Sequence, residues 1–430
     1  MKMAEIPNRM VANPKMCIRD RCSILFDAYC GLALAMEGQA YFFYSLYVFK
    51  KNTAKIRILP GRRCIFTILK VCQCRNKEEN SETGYRKIPY ICNMANAEKN
   101  LSVETLRGIA ILLVVVGHVV GSGPGGGMKI DFPHPLRYLY VWIDYIQMPL
   151  FTAIAGWAYA LKPFSASSGF GSFVRKKALR LLVPMAAVGT LYFLVQYLMP
   201  GTNNKGELSQ MWRIYVFPYT IYWYLPSLFL IFVVQWWMDS RKWMDTPGKW
   251  AVCCMAALIL SRINDVWILH EVPDLFSFKG ALGQLPYFFV GVASCRFAVP
   301  LYSRPAVRHV MLAVALCGIA LIQTVWFYPG KCASLSMLLY PVTLIPALFL
   351  LLASKWHNRF FVWIGSYAYS IYLFHGFGTS GGRIILKMMG IDAIVPILLS
   401  ATFIATIGPV LVDKLLDRSG MLRMLFLGRK

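Results

Sequence analysis

The stretch LRGIAILLVVVGHVV, residues 106–120, decides how this chain is read. It is apolar enough to lie in hydrocarbon, yet it carries Arg107 and His118. An ionisable side chain at mid-membrane costs about 3 kcal/mol on insertion scales, so it faces the interior of a helix bundle or a watery cavity. Whether the stretch crosses a membrane depends on its surroundings. The chain is 57% hydrophobic and only 15% charged, against roughly 25% charged in an ordinary soluble domain. Apolar runs of about 18 residues or more recur from Val103 onward, the signature of transmembrane helices.

Ten such segments follow one another: 104–122, 138–160, 179–199, 219–238, 250–270, 281–297, 308–328, 333–353, 360–379 and 392–413. Each has about 17–23 residues, enough to cross ~30 Å of hydrocarbon at 1.5 Å per residue. The expected fold is all-α: a polytopic integral membrane protein with about ten transmembrane helices. The net charge is +25, but the basic residues stand between apolar runs. Arg175, Lys176, Lys177 and Arg180 follow the second segment, and Arg241, Lys242 and Lys249 the fourth. Arg296, Arg304 and Arg308 follow the sixth, Lys355 and Arg359 the eighth, and Lys414, Arg418, Arg423, Arg429 and Lys430 the tenth. The alternate loops are poorer in positive charge or balanced by Asp131, Glu271 and Asp274. The positive-inside bias then predicts that both ends of this core are cytoplasmic. No RNP, helix-turn-helix or zinc-finger pattern accompanies the charge, so no nucleic-acid partner is expected. No repeat of fixed period and no inverted repeat of broken helices is present.

The 12 cysteines form no metal-ligand spacing. Cys72 and Cys74 are one residue apart and Cys253 and Cys254 are adjacent, without a matching second half. No metal and no permanently bound cofactor are expected. Residues 1–93 have a different texture and hold seven of those cysteines. The apolar run 22–49 is interrupted by Asp27 and Glu37 and starts too late for a signal peptide. KMCIRDR (15–21) resembles the translation of a sequencing adapter, and Met94 opens MANAEKNLSVETLRG like a natural cytoplasmic start. The expectation is an N-terminal extension, 1–93, arising from a start-site or assembly error, and a ten-span domain at 94–430.

Within the first segment Arg107 lies about one turn in, and His118 is about 16 Å deeper at 1.5 Å per residue. Eleven residues make about three turns, so the two share a helix face, with Glu104 within about 40° of it. The expected picture is a polar stripe from the cytoplasmic surface toward the membrane centre. Arg107 alone would also serve as a snorkelling cation, and His118 alone as a hydrogen-bonded structural histidine. Together they suit chemistry: histidine is the usual general base near neutral pH, and arginine matches phosphate. Coenzyme A has phosphates at one end and a thioester at the other, on an arm whose reach is of this order. The same pair would also serve a transporter or flippase for a sugar or glycolipid, as a substrate or proton path.

The Arg-x10-His arrangement resembles the signature of the membrane acyltransferase-3 family. Five further stretches resemble that family's patterns in the same order: MPLFTAIAGWAYA (148–160), FVRKKALRLLVPM (173–185), YWYLPSLFLIF (222–232), LPYFFVGV (285–292) and WIGSYAYSIYLFHGF (363–377). The likeness covers about 101–415, and the MPLF wording leans toward the fucose O-acetylase-like branch. The resemblance implies transfer of an acyl group, usually acetyl, from acyl-coenzyme A as co-substrate to a hydroxyl of a carbohydrate or glycolipid. It makes His118 the catalytic histidine and Arg107 its essential partner at the donor phosphates. It makes Lys177 and Arg180 the basic pair after the second span, where arginine is commoner at the first position. Ordinary positive-inside charge explains Arg175 and Lys176 equally well. His375, near Ser370 and Tyr372, either packs by hydrogen bonding or lines the acceptor side. Asp144 either orients a histidine, binds a sugar hydroxyl, or is an interfacial carboxylate. GSGPGGG (121–127) lacks the strand before it and the Lys-Ser/Thr after it that a phosphate loop needs, and reads as an extracytoplasmic loop.

Overall fold

The computed structural model describes residues 100–123, 126–162, 169–202, 206–268, 271–297, 304–327 and 333–429. The expectations about residues 1–93 lie outside the described residues. Among the described residues every regular element is helical. The main helices are α1 (Leu101–Val120), α2 (Pro135–Ala160), α3 (Phe170–Leu198), α4 (Tyr224–Ser240), α5 (Pro247–Ile263), α6 (Phe278–Arg296), α7 (Pro305–Phe327), α8 (Ala333–Ala353), α9 (Arg359–Ser366), α10 (Ala368–Met388), α11 (Ile394–Leu416) and α12 (Gly420–Leu427). The protein is an all-α, polytopic integral membrane protein. Five stretches, Leu101–Val120, Phe170–Leu198, Leu208–Ser240, Pro305–Gln323 and Ile394–Leu416, are long and apolar enough to cross a membrane by length and composition alone. The other apolar segments are helical too, but shorter or richer in polar residues.

Local sequence explains the helix starts. The Asn100 side chain accepts from the backbone N–H groups of Ser102 and Val103 at 3.2 and 3.3 Å, capping α1. Pro135 and Pro247 open α2 and α5, after His134 and Thr246 whose side chains cap them. Two segments depart from the expectation. The segment 360–379 is not one helix: α9 ends at Ser366, and Tyr367, at φ −104° and ψ 5°, breaks the run before α10. Just before the break α9 packs closely on α1: a Cβ on Gly365 would stand 2.1 Å from the Glu104 carbonyl and one on Gly108 would stand 2.0 Å from that of Phe361. In addition, α3 starts at Phe170, nine residues before the expected segment 179–199, so Arg175, Lys176 and Lys177 lie on its first turns together with Arg180.

Twelve of the twenty residues of α1 are buried, which makes it the central helix. It packs against α2, α9, α10 and α11, while α6 is clasped by α2, α4, α5 and α8. Two apolar cores result. One joins Ile111, Val115, Val188, Tyr222, Ile231, Phe288 and Ile371; the other joins Ala110, Leu150, Ala153, Val290 and Leu348. In a membrane, helices associate by close packing of small residues, because lipid tails are as apolar as leucine. α2 and α6 do this at Gly156 and Gly291, where a Cβ would meet the carbonyls of Phe288 and Ala153 at 2.1 and 1.9 Å.

Candidate active site

The contacts sort the polar residues to the two ends of the bundle. One end holds the start of α1, α3 and α10 and the close of α2, α4, α6 and α11. There Arg107 forms an ion pair with Glu104 at 2.7 Å. The Lys177 ammonium stands over the Phe232 ring, 3.3 Å from its centroid, and 5.6 Å from that of Phe173. Arg180 and Lys162 bring like charge close to Lys177. Arg180 is exposed, and its carbonyl accepts from the Tyr369 hydroxyl. This end is therefore a patch of cations on a partly aromatic floor. None of Arg107, Lys177 and Arg180 hydrogen-bonds another.

The same end carries a network that the sequence did not reveal. Asp239 is 7% exposed. Its two oxygens each accept from the Arg296 guanidinium at 2.7 Å. It also accepts from the Tyr159 hydroxyl at 2.9 Å and the Gln235 amide at 3.1 Å. Arg296, counted with the cytoplasmic charges and within the expected segment 281–297, is the last residue of α6 and is held in a bidentate pair. Nearby, Ser370 donates to the buried Asp413, which also pairs with Arg429 at 3.3 Å.

The other end of α1 holds His118. It is exposed, and it opens on a cavity of about 130 Å³ lined also by Gly126, Gly127, Tyr192, Gln196, Thr220, Ile221, Gly376, Thr379, Ser380 and Arg383. The glycine loop after α1 makes one wall. Gly121 and Gly127 take φ of 87° and 52°, and their backbones approach so closely that a Cβ on Gly121 would stand 2.6 Å from Gly127 Cα. Met128 N–H donates back to the carbonyl of Val119 at 3.1 Å, closing the loop over the helix end. The stretch expected to be a simple connecting loop therefore shapes the site.

His375 lies against His118, with ring centroids 5.1 Å apart and planes at 38°. It is completely buried. Its Nδ1 is 2.8 Å from the Tyr372 carbonyl and 3.1 Å from that of Ile371. Carbonyls only accept, so in the neutral ring Nδ1 carries the hydrogen and Nε2 carries the lone pair. That Nε2 is buried with no hydrogen-bond partner. α10 thus sets a fixed acceptor nitrogen beside the histidine of α1.

The structure brings His118 and His375 together and keeps Arg107 at the opposite end of α1. The continuous stripe expected on α1 is resolved into an ion pair at one end and a histidine at the other. Glu104 serves Arg107. Asp144 does not line the cavity; the Gln147 amide donates to it at 3.1 Å, and Gln147 abuts Gly117. The remaining cavity residues went unremarked in the sequence. Arg383, on α10, lies beyond the expected segment 360–379, so the apolar pattern did not mark it. A larger hollow of about 510 Å³ between α5, α7 and α8 has Arg262 as its one polar lining residue and holds none of the expected site residues.

Among the described residues no cluster of three or more His, Cys, Asp or Glu side chains is arranged to hold a metal ion. The arrangement suits proton transfer in a small polar cavity, with cations gathered at the far end. No curated protein and no solved structure matches the chain. A family model described as an acyltransferase domain matches residues 100–413, from the cap of α1 to the buried Asp413 and well over half of the chain. The match takes in the central helix, both histidines and the cationic end, and the protein belongs to the acyltransferase-3 family.

Proposed function

We propose that this membrane acyltransferase moves an acetyl or other short acyl group from acyl-coenzyme A to a hydroxyl of a carbohydrate or glycolipid, with His118 as the base. The observation that carries the reading is the setting of His118: exposed to a small polar cavity, backed by the buried His375, and at the far end of α1 from the cations. At about 130 Å³ the cavity is smaller than the roughly 300–1,000 Å³ of a typical small-molecule site. It suits an acyl group and the edge of a sugar, while the donor nucleotide binds elsewhere. Arg107, Lys177 and Arg180 supply the phosphate contacts, and the donor's flexible arm spans the ~16 Å rise to His118. Lys177 contributes a point charge and not a planar fork. The basic loops support an orientation with the cationic end on the cytoplasmic side of a bacterial inner membrane.

In the reaction, His118 takes the proton of the acceptor hydroxyl as its oxygen attacks the thioester carbonyl. The tetrahedral intermediate collapses, the carbon–sulfur bond breaks, and the imidazolium returns its proton to the departing thiolate. General-base help of this kind contributes typically about 10²–10⁴-fold. In a variant of the scheme His118 carries the acyl group itself; both give the ester and free coenzyme A. The test uses membranes bearing the protein, radiolabelled acetyl-coenzyme A and a mixed pool of cell-surface glycans. Label is expected in glycan with the parent and absent with His118→Ala and Arg107→Ala at equal membrane levels. No transfer by the parent, with proton-driven sugar transport instead, would overturn the reading.

A further inference from the structure

Packing alone does not account for His375. Its ring is completely buried, and Nε2 has no hydrogen-bond partner. A buried polar atom left so is costly, whereas an apolar side chain of like shape would fill the space without that cost. The ring is also held still. Nδ1 is fixed by the carbonyls of Ile371 and Tyr372. This part of α10 is clasped from both directions by the turn at Thr220–Trp223. The Tyr372 hydroxyl donates to the Ile221 carbonyl, and the Tyr222 hydroxyl donates to the Leu373 carbonyl at 2.9 Å.

The neighbouring ring is that of His118, centroids 5.1 Å apart. Two imidazoles joined edge to edge by one N–H···N bond of about 3 Å stand at about this separation. His118 lies in the last turn of α1 and is exposed, so it is the ring that can turn. His118 and Gly376 line the cavity, while His375 lies behind them and meets no substrate.

Neutral His118 has one N–H and one lone pair. To act as a base it must point the lone pair at the acceptor hydroxyl. Once it has taken the proton, both nitrogens carry hydrogen and the ring is charged. A fixed acceptor on the side away from the cavity serves both states. It selects the tautomer whose lone pair faces the hydroxyl, and it steadies the imidazolium. Hydrogen bonds from a charged donor are roughly twice as strong as neutral ones, so the contact strengthens as the proton arrives and favours the transition state over the ground state.

We infer that His375 is a positioning residue for the transfer: its Nε2 receives the N–H of His118 on the side away from the cavity, leaving the other nitrogen of His118 to face the acceptor hydroxyl. This rests on the reading of His118 as the base. The proton taken from the hydroxyl stays on the cavity-side nitrogen until the departing thiolate takes it. None passes to His375, whose Nδ1 already carries its hydrogen.

The experiment follows transfer of radiolabelled acetyl to glycan against acetyl-coenzyme A concentration, in membranes bearing the full chain as parent, His375→Phe and His375→Gln. Phenylalanine keeps a ring and removes the acceptor; glutamine gives up the ring and keeps an acceptor oxygen. Membrane level and unfolding in mixed micelles report folding. His375→Phe is expected to lower kcat about ten- to a hundredfold, the worth of a hydrogen bond to a charged group, with KM for acetyl-coenzyme A unchanged. His375→Gln is expected to recover most of that kcat. If His375→Phe fails to reach the membrane, the smaller His375→Leu replaces it in the comparison with glutamine. A kcat for the acceptor-free variant within about threefold of the parent, or no better in His375→Gln than in that variant, would overturn the inference. Either result together with inactive His118→Ala leaves the base assignment standing. Parental kcat in His118→Ala would remove both.

Discussion

Replacing Asp239 by alanine removes the acceptor on which α2, α4 and α6 converge. The parent carboxylate accepts twice from Arg296 at 2.7 Å, once from Tyr159 and once from Gln235. The side chains of Asp239 and Arg296 are 4% and 14% exposed, so solvent screens the pair little. Removing one partner of a buried ion pair costs about 3–5 kcal/mol, because the other charge stays buried. Tyr159 and Gln235 lose an acceptor as well, at about 1 kcal/mol each, which takes the expected loss to about 5–7 kcal/mol. The Met244 carbonyl, 3.4 Å from Arg296, replaces little of it. Equilibrium unfolding in mixed micelles, followed by tryptophan fluorescence, measures the loss. The double variant Asp239→Ala with Arg296→Met removes the stranded charge and is expected to be more stable than Asp239→Ala alone. A loss below about 1 kcal/mol, typical of exposed pairs, or a double variant less stable still, would refute the reasoning.

Gly291→Ala should destabilise by about 1–3 kcal/mol through overpacking, since its Cβ would stand 1.9 Å from the Ala153 carbonyl; unchanged unfolding would show that α2 and α6 separate freely. Tyr222→Phe loses a buried 2.9 Å bond to the Leu373 carbonyl and should cost about 0.5–1.5 kcal/mol in the same assay. Lys177→Gln should raise KM for acetyl-coenzyme A severalfold with little change in kcat, the pattern of a lost uniform binding contact. An unchanged KM would reduce Lys177 to its contact with Phe232.

The fold was legible because apolar runs of spanning length are written directly in composition, and because Arg107 and His118 are costly enough in such a run to stand out. What periodicity does not carry is contact between distant helices. His375 was visible as a histidine in an apolar helix, but not that its ring would lie against His118, 257 positions earlier in the chain. Arg296 reads as one of the cytoplasmic charges because nothing local marks Asp239 as its partner; the two meet only when α4 and α6 pack. The close approach of the Gly108 and Gly365 backbones, just before the break at Tyr367, was hidden for the same reason. Gln196, near the end of α3, and Thr379 and Ser380, midway along α10, are ordinary polar residues and gain meaning only from the cavity they share.

The most direct test of His118 is transfer of radiolabelled acetyl from acetyl-coenzyme A to glycan by full-length parent, His118→Ala and His118→Gln in membranes at matched protein levels. The account predicts a fall of about 10²-fold or more in both variants, because glutamine matches the side chain's polarity but supplies no base. Transfer in either variant within a few-fold of the parent would contradict the assignment of His118 as the base.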